Sequence, residues 1–483
     1  MKKLLFLIGI LSSGLYGASI DHIQTYSPDY LANQAQTGMI DEVSPYYNPA
    51  GLSRLDKGKY VHLGLQLANG HEKMSYKGKE HKAHLTQLIP NVSLTSVDDN
   101  GAYFFTFGGL AGGGKLEYDG VSGIDVLSDL AQFQPLGVYD KGSTLTGKNL
   151  YEQATLGRAF TVNEQLSISV AGRIVHGSRK LSGTLNIGTN PSTAYKQAKV
   201  QQVTQEVSKA VDAATQGSGL SVAQIAAIKQ QKTTQALTLL QTKMNALQQN
   251  GLSGDLDSKR EAWGYGFQIG VNYKVNDKLN LAARYDSRIK MNFKAKGTEN
   301  QLQTADIIGS NIGLSTFYPQ YTINSKIRRD LPAILSVGAS YKVTDNYLVS
   351  TSANYYFNRH AKMDRVTTFG GHEHGRDYKN GWEIALGNEY KLNDKFTLIG
   401  SVNYARTGAK NSSFNDTEYA LNSVTLGAGL RYKYDDTLSI TGSVAHFIYD
   451  KEDGNFKEKY KVNENQKYHK EITAFGISLT KKF

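Results

Sequence analysis

Apolar residues alternate with small or polar residues over long stretches of the chain, and this period of two limits its possible folds more than any other feature. The clearest run sets Trp263, Tyr265, Phe267, Ile269, Val271 and Tyr273 between Gly264, Gly266, Gln268, Gly270 and Asn272. The same spacing recurs over 335–341, 396–404 and 424–434. Because residues two apart in a β-strand share a face of the sheet, the pattern predicts strands with one apolar and one mixed face.

Short polar turns and long connections also alternate along the chain. Clusters rich in Asn and Asp lie between strand-like runs at 98–100, 163–164, 276–278, 344–346, 393–395 and 435–437. The connections between the resulting hairpins run over about 71–82, 111–148, 181–260, 296–326, 361–380, 409–418 and 451–468. Short turns on one side and long loops on the other are typical of bacterial outer-membrane barrels. We therefore predict an all-β fold, a 14-stranded antiparallel transmembrane β-barrel.

Charged residues favour a barrel over a soluble β-sandwich. Arg173, Glu383 and Arg431 fall in mid-strand on the face opposite the apolar residues. That face would be the core or an interface in a sandwich, whereas in a barrel it lines water or a plug. The chain has no cysteine, which excludes disulfides, Cys-zinc sites and thiol nucleophiles. After the first seventeen residues no run of 18 apolar residues exists, so the sequence predicts no transmembrane helix.

The charge balance bears on partners. The chain has 54 Lys and Arg against 43 Asp and Glu, a formal net charge of +11. The basic residues are spread rather than clustered, so we predict no nucleic-acid partner. A dispersed basic excess suits contact with outer-membrane lipid and anionic lipopolysaccharide.

The first seventeen residues form a predicted signal peptide. Met1-Lys2-Lys3 is followed by an apolar run over 4–11 and by the small residues Gly14, Gly17 and Ala18. This order is typical of a cleavable secretory signal, with cleavage expected after Gly17. Together with the barrel pattern, it predicts export to the bacterial outer membrane.

Residues 18–58 precede the predicted barrel (59–483) and show no alternation. They contain Asn48-Pro49-Ala50-Gly51, in which Asn-Pro favours a turn with Pro at the first helical position. Such a segment either hangs free as a disordered leader or folds into the lumen. A fourteen-stranded barrel has room for a plug of this size, and we predict a hatch inside the barrel.

At this point the sequence resembles the FadL/TodX-type outer-membrane transporters of long-chain fatty acids and other hydrocarbons. The resemblance rests on boxes that occur in order: 48–52, Ile89-Pro90-Asn91, 261–267, 284–290 and Leu331-Pro332-Ala333. It covers essentially all of the chain after the signal peptide. The resemblance implies a barrel plugged by its N-terminal hatch and a monomer that is a transporter, not an enzyme. No cofactor is expected.

The resemblance further implies passive uptake, in which extracellular loops capture a hydrophobic ligand that leaves sideways through the barrel wall. The strand at 103–114 contains Gly108 and Gly109, and glycine within a strand weakens pairing and marks bulges. In the family this strand is kinked to open a lateral hole. An ordinary glycine-rich start to the next loop remains the alternative interpretation.

The connection over 181–260 contains a helical pattern at about 193–250. Leu237, Leu240, Met244 and Leu247 share one helical face. The resemblance implies an outer hydrophobic groove at these residues. The alternative is that the apolar faces of two helices in this connection pack against each other and cap the barrel.

A ligand carboxylate in a weakly screened lumen needs a basic partner. By resemblance, the positions for it are Arg179 and Lys180, near the top of the fifth strand, and His374 and Arg376, before the tenth. His372 and His374 provide only two ligands for a metal, so no metal site is predicted.

Two other functions compete with selective transport. A non-selective diffusion porin would keep its lumen open, which the hatch sequence argues against. A surface adhesin would use the long extracellular loops, and it is compatible with transport. The sequence does not distinguish fatty acids from other hydrophobic cargo.

Overall fold

The structure is a computed structural model that describes residues 27–131, 133–299, 315, 318–367, 373–374, 378–416 and 418–483. In it, fourteen antiparallel strands make up a barrel. The strands are β1 (Gly58–Tyr76), β2 (Lys79–Asp98), β3 (Gly101–Tyr118), β4 (Thr144–Thr161), β5 (Leu166–Gly188), β6 (Leu252–Lys274), β7 (Leu279–Asp286 and Asn292–Glu299), β8 (Lys326–Arg328 and Ile334–Thr344), β9 (Tyr347–Tyr356), β10 (Gly381–Lys391), β11 (Phe396–Arg406), β12 (Ser423–Lys433), β13 (Leu438–Tyr449) and β14 (Lys467–Lys482). Short loop strands lie at Tyr139–Asp140, Val366–Thr367, Glu373–His374 and Glu452–Asp453. The predicted signal peptide lies outside the described residues.

The sheet closes on itself. β1 pairs with β2 on one side and with β14 on the other, from Tyr60 opposite Lys482 to Ser75 opposite Lys467. Every other strand pairs with its neighbours in chain order. The short turns fall at the predicted polar clusters, and the predicted 14-stranded antiparallel barrel is confirmed. Closure supplies a partner for the backbone groups that hydrocarbon cannot hydrogen-bond.

The two faces of the strands differ as the period of two predicts. Trp263 and Tyr265 on β6 are 63% and 70% exposed and face outward. Gln268 and Asn272, between the outward-facing positions of the same strand, are buried. Arg173, at mid-strand on β5, is buried on the inner face as well. The wall is therefore apolar outside and polar inside.

The N-terminal segment lies within the barrel. It contains α1 (Pro28–Ala32), α2 (Ser44–Tyr47) and a 3₁₀ helix (Pro49–Arg54). Its side chains and backbone hydrogen-bond to inward-facing residues on strands around the wall: Ser478 on β14, Ser350 and Ser352 on β9, Ser401 on β11, Asn280 on β7, Asn272 on β6 and Ser167 on β5. The segment is thus buried along most of its length and is hydrogen-bonded to six strands of the wall.

The long loops carry the remaining helices. These are α3 (Ser122–Asp125), α4 (Thr193–Thr215), α5 (Val222–Asn250) and α6 (Phe456–Tyr460), with short 3₁₀ helices at Val126–Asp129, Gln134–Leu136, Pro319–Tyr321, Asn358–His360 and Asn411–Ser413. Helices α4 and α5 form a hairpin, with Lys229 on α5 paired to Asp212 on α4 at 2.7 Å. Ser221 caps α5 in a capping box with Gln224. Among the described residues, no helix combines the length and apolarity that crossing a bilayer requires.

Buried apolar side chains form a large cluster between the N-terminal segment and the long loops. It begins at Tyr30, Tyr46 and Tyr47 in the segment and continues through the loops that follow β3, β7, β11 and β13. A second cluster lies against β3 to β9 and β11 and contains Leu110, Tyr151, Met291 and Phe293. The interior between the segment and the long loops is thus apolar, whereas the wall around the segment is polar.

Candidate functional site

The Asn48-Pro49-Ala50-Gly51 motif is hydrogen-bonded to the barrel wall. The Asn48 side-chain amide donates to Asn272 Oδ1 at 2.8 Å and to the Met39 carbonyl at 2.9 Å. Pro49 opens the 3₁₀ helix, and the Gly51 N–H donates to Asn48 Oδ1 at 3.3 Å. The Ser167 hydroxyl donates to the Ala50 carbonyl at 2.7 Å. The motif therefore ties the N-terminal segment to β5 and β6.

A buried ion network holds the same segment from another side. Arg173 pairs with Asp286 at 2.7 Å, and Arg284 contacts the other carboxylate oxygen at 3.0 Å. Arg284 also donates to the carbonyl of Tyr46 in the segment. Gln268 completes the network by donating to Asp286 at 2.8 Å. Buried charges that are paired and hydrogen-bonded stay ionised at acceptable cost, and removing one partner is strongly destabilising.

A basic cluster lies higher in the lumen, near the base of the long loops. Arg179 on β5 is buried and pairs with Glu418, which also pairs with Arg329 at 2.8 Å. Arg260 on β6 lies directly opposite Arg179 and is only 2% exposed. Its guanidinium stacks over the rings of Tyr321 at 4.3 Å and Phe293 at 5.6 Å.

Arg260 differs from its neighbours in its partners. Among the residues that the structure describes, no carboxylate lies within ion-pair distance of Arg260, and its Nε has no hydrogen-bond partner. Sequence reasoning missed this residue. The period of two was sufficient to find it, because the outward residues of β6 are odd-numbered from Trp263 onward, which places Arg260 on the inner face.

Lys180, another predicted carboxylate-binding residue, does not join this cluster. Lys180 follows Arg179 on β5, so its side chain points outward, where it pairs with Asp257 at 2.9 Å. Predicting both residues in the lumen was therefore wrong for Lys180, since neighbouring strand residues occupy opposite faces. His374 lies in the short loop strand that pairs with Val366–Thr367. Arg376 lies outside the described residues.

The second apolar cluster connects the basic cluster to β3. Phe293, under the Arg260 guanidinium, packs edge-on against Tyr151 with ring centroids 6.1 Å apart. Gly177 makes room for this contact, since a Cβ there would lie 2.9 Å from both rings. Leu110 and Ala111 of β3 belong to the same cluster and are buried. This path of packed apolar side chains connects a buried cation to the barrel wall.

The wall is irregular where this path reaches it. β2 and β3 pair regularly up to Asn91 opposite Gly108, and pairing resumes only at His84 opposite Glu117. Between these points, residues 85–90 of β2 do not pair with residues 109–116 of β3. On its other side β3 pairs with β4 through two bulges, the first directly after Gly109. Gly108 and Gly109 therefore mark the start of the interruption.

Side chains rather than backbone hydrogen bonds close this interruption, which we call the β2–β3 gap. A Cβ on Gly114 would lie 2.8 Å from Leu85 Cδ1 and 3.5 Å from Gln87 Cβ, so β2 side chains lie against the β3 backbone. Pro90 is the last β2 residue of the gap, where a strand is locally an edge and a missing N–H costs little.

The four residues of the predicted outer groove lie on α5 but are not equally accessible. Met244 and Leu247 are buried in the large apolar cluster, while Leu237 and Leu240 are half-buried. The Thr189 hydroxyl donates to the Leu247 carbonyl at 2.8 Å. The lower half of this apolar face therefore packs the helical hairpin against the barrel loops.

A loop carboxylate links three of the long loops. Asp416 accepts hydrogen bonds from the Gly123 N–H at 3.0 Å and the Tyr318 hydroxyl at 3.1 Å. Burial raises the pKa of the Asp416 carboxyl from 3.8 to about 6. Burial lowers the pKa of the neighbouring Lys459 from 10.5 to about 8. Both charges are therefore costly inside the closed loops.

At the opposite, short-turn end lies a polar cavity of about 710 Å³. Glu42 of the N-terminal segment and Arg431 of β12 line it, together with charged residues of the short turns. Arg431 forms a two-pronged pair with Glu389, the shorter contact being 2.9 Å. A cavity lined by ions suits water rather than hydrocarbon.

Comparisons with known proteins agree with this architecture. The profile of the family described as "Outer membrane protein transport protein (OMPP1/FadL/TodX)" matches residues 140–483. Outer membrane protein P1 of Haemophilus influenzae is 24% identical over 337 residues, 66% of this chain and 64% of that protein. The long-chain fatty acid transport protein of Escherichia coli O157:H7 is 21% identical over 56% of this chain and 58% of that protein. The matches thus span less than two thirds of these relatives.

Solved structures resemble the fold over nearly the whole chain. A Pseudomonas aeruginosa FadL homologue superposes with a TM-score of 0.64 at 15% identity, covering 95% of this chain and 99% of that one. The toluene transporter TodX of P. putida gives 0.63 at 15% identity, with the same coverage. Since the family profile spans well over half of the sequence, the chain belongs to the OMPP1/FadL/TodX family of outer membrane transport proteins.

Proposed function

We propose that the protein takes up long-chain fatty acids or closely related hydrophobic compounds across the outer membrane by passive diffusion. The ligand enters through the long loops, binds above the N-terminal hatch and leaves sideways through the β2–β3 gap. A single observation carries the proposal: an apolar cluster runs from the buried guanidinium of Arg260 to β3 beside the gap.

The substrate class follows from the charge. A hydrocarbon tail gains roughly 0.8 kcal/mol for each CH₂ that leaves water, and any apolar ligand obtains this gain. Arg260 is buried and forms no ion pair within the described chain, because the nearby Glu418 is already shared by Arg179 and Arg329. This excess of cations favours a ligand that brings its own negative charge. Arg179 adds a second cation directly opposite. A fatty acid satisfies both requirements better than a neutral aromatic hydrocarbon.

The N-terminal segment supports transport over a non-selective porin. It is hydrogen-bonded to inward-facing residues around the wall, which supports a segment that obstructs the lumen. Sideways release avoids this obstruction. Within the bilayer, irregular backbone is tolerated only where protein or a cavity covers it. The β2–β3 gap meets this condition because it lies beside the apolar cluster.

The proposal is tested by measuring binding of oleate and of its neutral methyl ester to the purified barrel. For Arg260→Gln we expect oleate binding to weaken by about tenfold or more, because a charged hydrogen bond is lost. Methyl oleate binding should change by less than about twofold. Uptake of labelled oleate by cells that lack their own fatty-acid transporter should fall in parallel.

Arg158→Gln is the matched control. Arg158 lies on β4 with its guanidinium 4.3 Å from the centroid of the outward Tyr103 ring. It pairs with Val170 near the short turn, whereas Arg179 pairs with Asn149 near the long loops. This variant should bind both ligands like the original protein. Equal losses for oleate and its ester in Arg260→Gln, or no loss for either, would contradict the carboxylate assignment.

A further inference from the structure

Five lysines form a row across five neighbouring strands. In the ladders, Lys115 of β3 lies opposite Lys148 of β4, Lys148 opposite Lys180 of β5, Lys180 opposite Lys259 of β6, and Lys259 opposite Lys296 of β7. Residues directly opposite in a ladder share a face of the sheet. We call these residues the lysine row.

The row faces outward. On β6, Lys259 is an even number of positions from the exposed Trp263 and Tyr265 and therefore shares their outward face. For the same reason Lys180 shares the outward face of β5 with the exposed Ile174. Lys148 shares the outward face of β4 with the exposed Leu156. The inner face at this level instead carries Arg179 and Arg260. The row is therefore on the surface that meets the membrane, not in the ligand path.

Along the strands, the lysine row lies just beyond the outward-facing apolar residues, on the side of the long loops. The outward residues of β6 are apolar from Tyr273 to Trp263, after which the strand continues through Glu261 to Lys259 toward the long loops. Trp263 packs against His176 with ring centroids 4.6 Å apart. Aromatic side chains mark the interface of a membrane barrel. Lysines one step beyond that interface lie at the depth of the lipid headgroups.

The chain itself compensates only part of this charge. Lys180 pairs with Asp257 at 2.9 Å, Lys259 with Glu261 at 2.6 Å, and Lys115 with Glu117. Lys148 and Lys296 have no ion pair among the residues that the structure describes. Glu152 and Asp255 are further acids on this face, and Lys294 and Lys326, opposite each other, are further cations. Like charges placed directly opposite are destabilising, so the arrangement favours an external anion.

We propose that the lysine row binds the phosphorylated saccharide headgroup of lipopolysaccharide in the outer leaflet. Strands lie about 4.8 Å apart, so the row extends over roughly 19 Å. That length lets a disaccharide headgroup present both of its phosphates to lysines of different strands. The position on the long-loop side, above an aromatic girdle, matches the outer leaflet, where this lipid resides. The proposal is independent of the cargo that the barrel carries.

The test measures binding of purified deep-rough lipopolysaccharide to the full-length barrel in detergent by native mass spectrometry. The triple variant Lys148→Gln, Lys180→Gln and Lys259→Gln should bind it about tenfold more weakly or worse, because each lysine near an anionic surface contributes attraction. The affinity of the original protein should fall as salt is raised. It should also fall when the lipid has been enzymatically stripped of its phosphates.

Lys278→Gln, Lys342→Gln and Lys395→Gln form the matched control, since these exposed lysines lie at the short-turn end. This triple variant should bind the lipid like the original protein. Retained binding by the row variant would overturn the proposal. Equal binding of the phosphorylated and stripped lipids by the original protein would also overturn it, and that measurement needs no variant to fold.

Discussion

Asp416 shows how a single buried carboxylate joins loops that are far apart in the chain. Gly123, from the loop after β3, and Tyr318, from the loop after β7, both donate to it. Its folded pKa of about 6 lies above the ordinary 3.8, since burial disfavours the charged form. The loop closure that it makes is therefore most stable below about pH 4 and weakens as the pH rises toward 6.

Replacing Asp416 with Asn removes this pH dependence. The Asn oxygen still accepts the bonds from Gly123 and Tyr318, but no carboxylate is buried, and without its neighbour the pKa of Lys459 falls further. At pH 7 we expect closure to be more stable in Asp416→Asn by about 2–3 kcal/mol, whereas at pH 4 the two proteins should be alike. Hydrogen exchange at Gly123, corrected for intrinsic rates, measures this. Weaker protection in the variant at pH 7 would show that the charged carboxylate stabilises the loops.

The basic residues show how far sequence reasoning reaches at the residue scale. The resemblance placed a cation near the top of the fifth strand, and Arg179 is buried there. The same argument included Lys180, which faces outward because adjacent strand residues alternate. Arg260 was missed, although parity alone put it on the inner face. Its position opposite Arg179 needed the register of β5 and β6, which depends on closure of the whole sheet.

At the scale of elements, β3 is the strand whose local sequence says most about function. Its glycine run predicted weak pairing, and the structure has bulges toward β4 and the β2–β3 gap. Gly112 and Gly114 have φ of +119° and +73°, conformations that other residues adopt only with strain. Glycine at positions 112 and 114 therefore avoids backbone strain within a strand, and a side chain at either position is tolerated only at the cost of that strain.

A disulfide across the β2–β3 gap tests whether cargo leaves there. The Cβ of Gln87 lies 3.5 Å from the position of a Cβ on Gly114, within disulfide range. Because the chain has no native cysteine, Gln87→Cys with Gly114→Cys forms a defined link. We expect oxidation to stop oleate uptake by cells and a reductant to restore it.

The control link joins the regular part of the same ladder. Ser93 and Thr106 are directly opposite each other on β2 and β3, and Ser93→Cys with Thr106→Cys should leave uptake unchanged when oxidised. If uptake continues through the oxidised gap variant, cargo leaves by another route.

The helical hairpin illustrates the limit of periodicity. A helical spacing showed that Leu237, Leu240, Met244 and Leu247 share a face, but not what covers it. In the structure the lower two residues are buried against the barrel loops, whereas the upper two are half-buried. Coverage of an apolar face depends on neighbours from distant segments, which no local pattern contains.

For the whole molecule, the N-terminal segment separates a plugged transporter from a porin. Removal of residues 18–54 should convert a barrel of low ion conductance in planar bilayers into an open, polar-lined pore. The reason is that the segment is buried against an inner wall that is polar, so its removal exposes that wall. Conductance is compared with that of a protein whose hairpin 193–250 is replaced by a short Gly-Ser linker, which should remain poorly conducting.

Unchanged conductance on removal of the segment would mean that the loops, not the segment, close the barrel. Heat-modifiable migration of each variant in electrophoresis shows whether its barrel has folded, so that an unfolded variant is not read as a closed pore. The Arg284 contact with Tyr46 and the Asn48 contact with Asn272 are among the bonds that hold the segment in place.

Local sequence was sufficient for everything that depends on parity and turn chemistry: the number of strands, their antiparallel order, the outward apolar face and the inward charges. These follow from a period of two and from residues that favour turns, and both act within a few positions. The lumenal path of the N-terminal segment, the opposition of Arg179 and Arg260, the β2–β3 gap and the lysine row were decided only by the closed barrel. Closure sets the register between strands, and register determines which distant side chains meet.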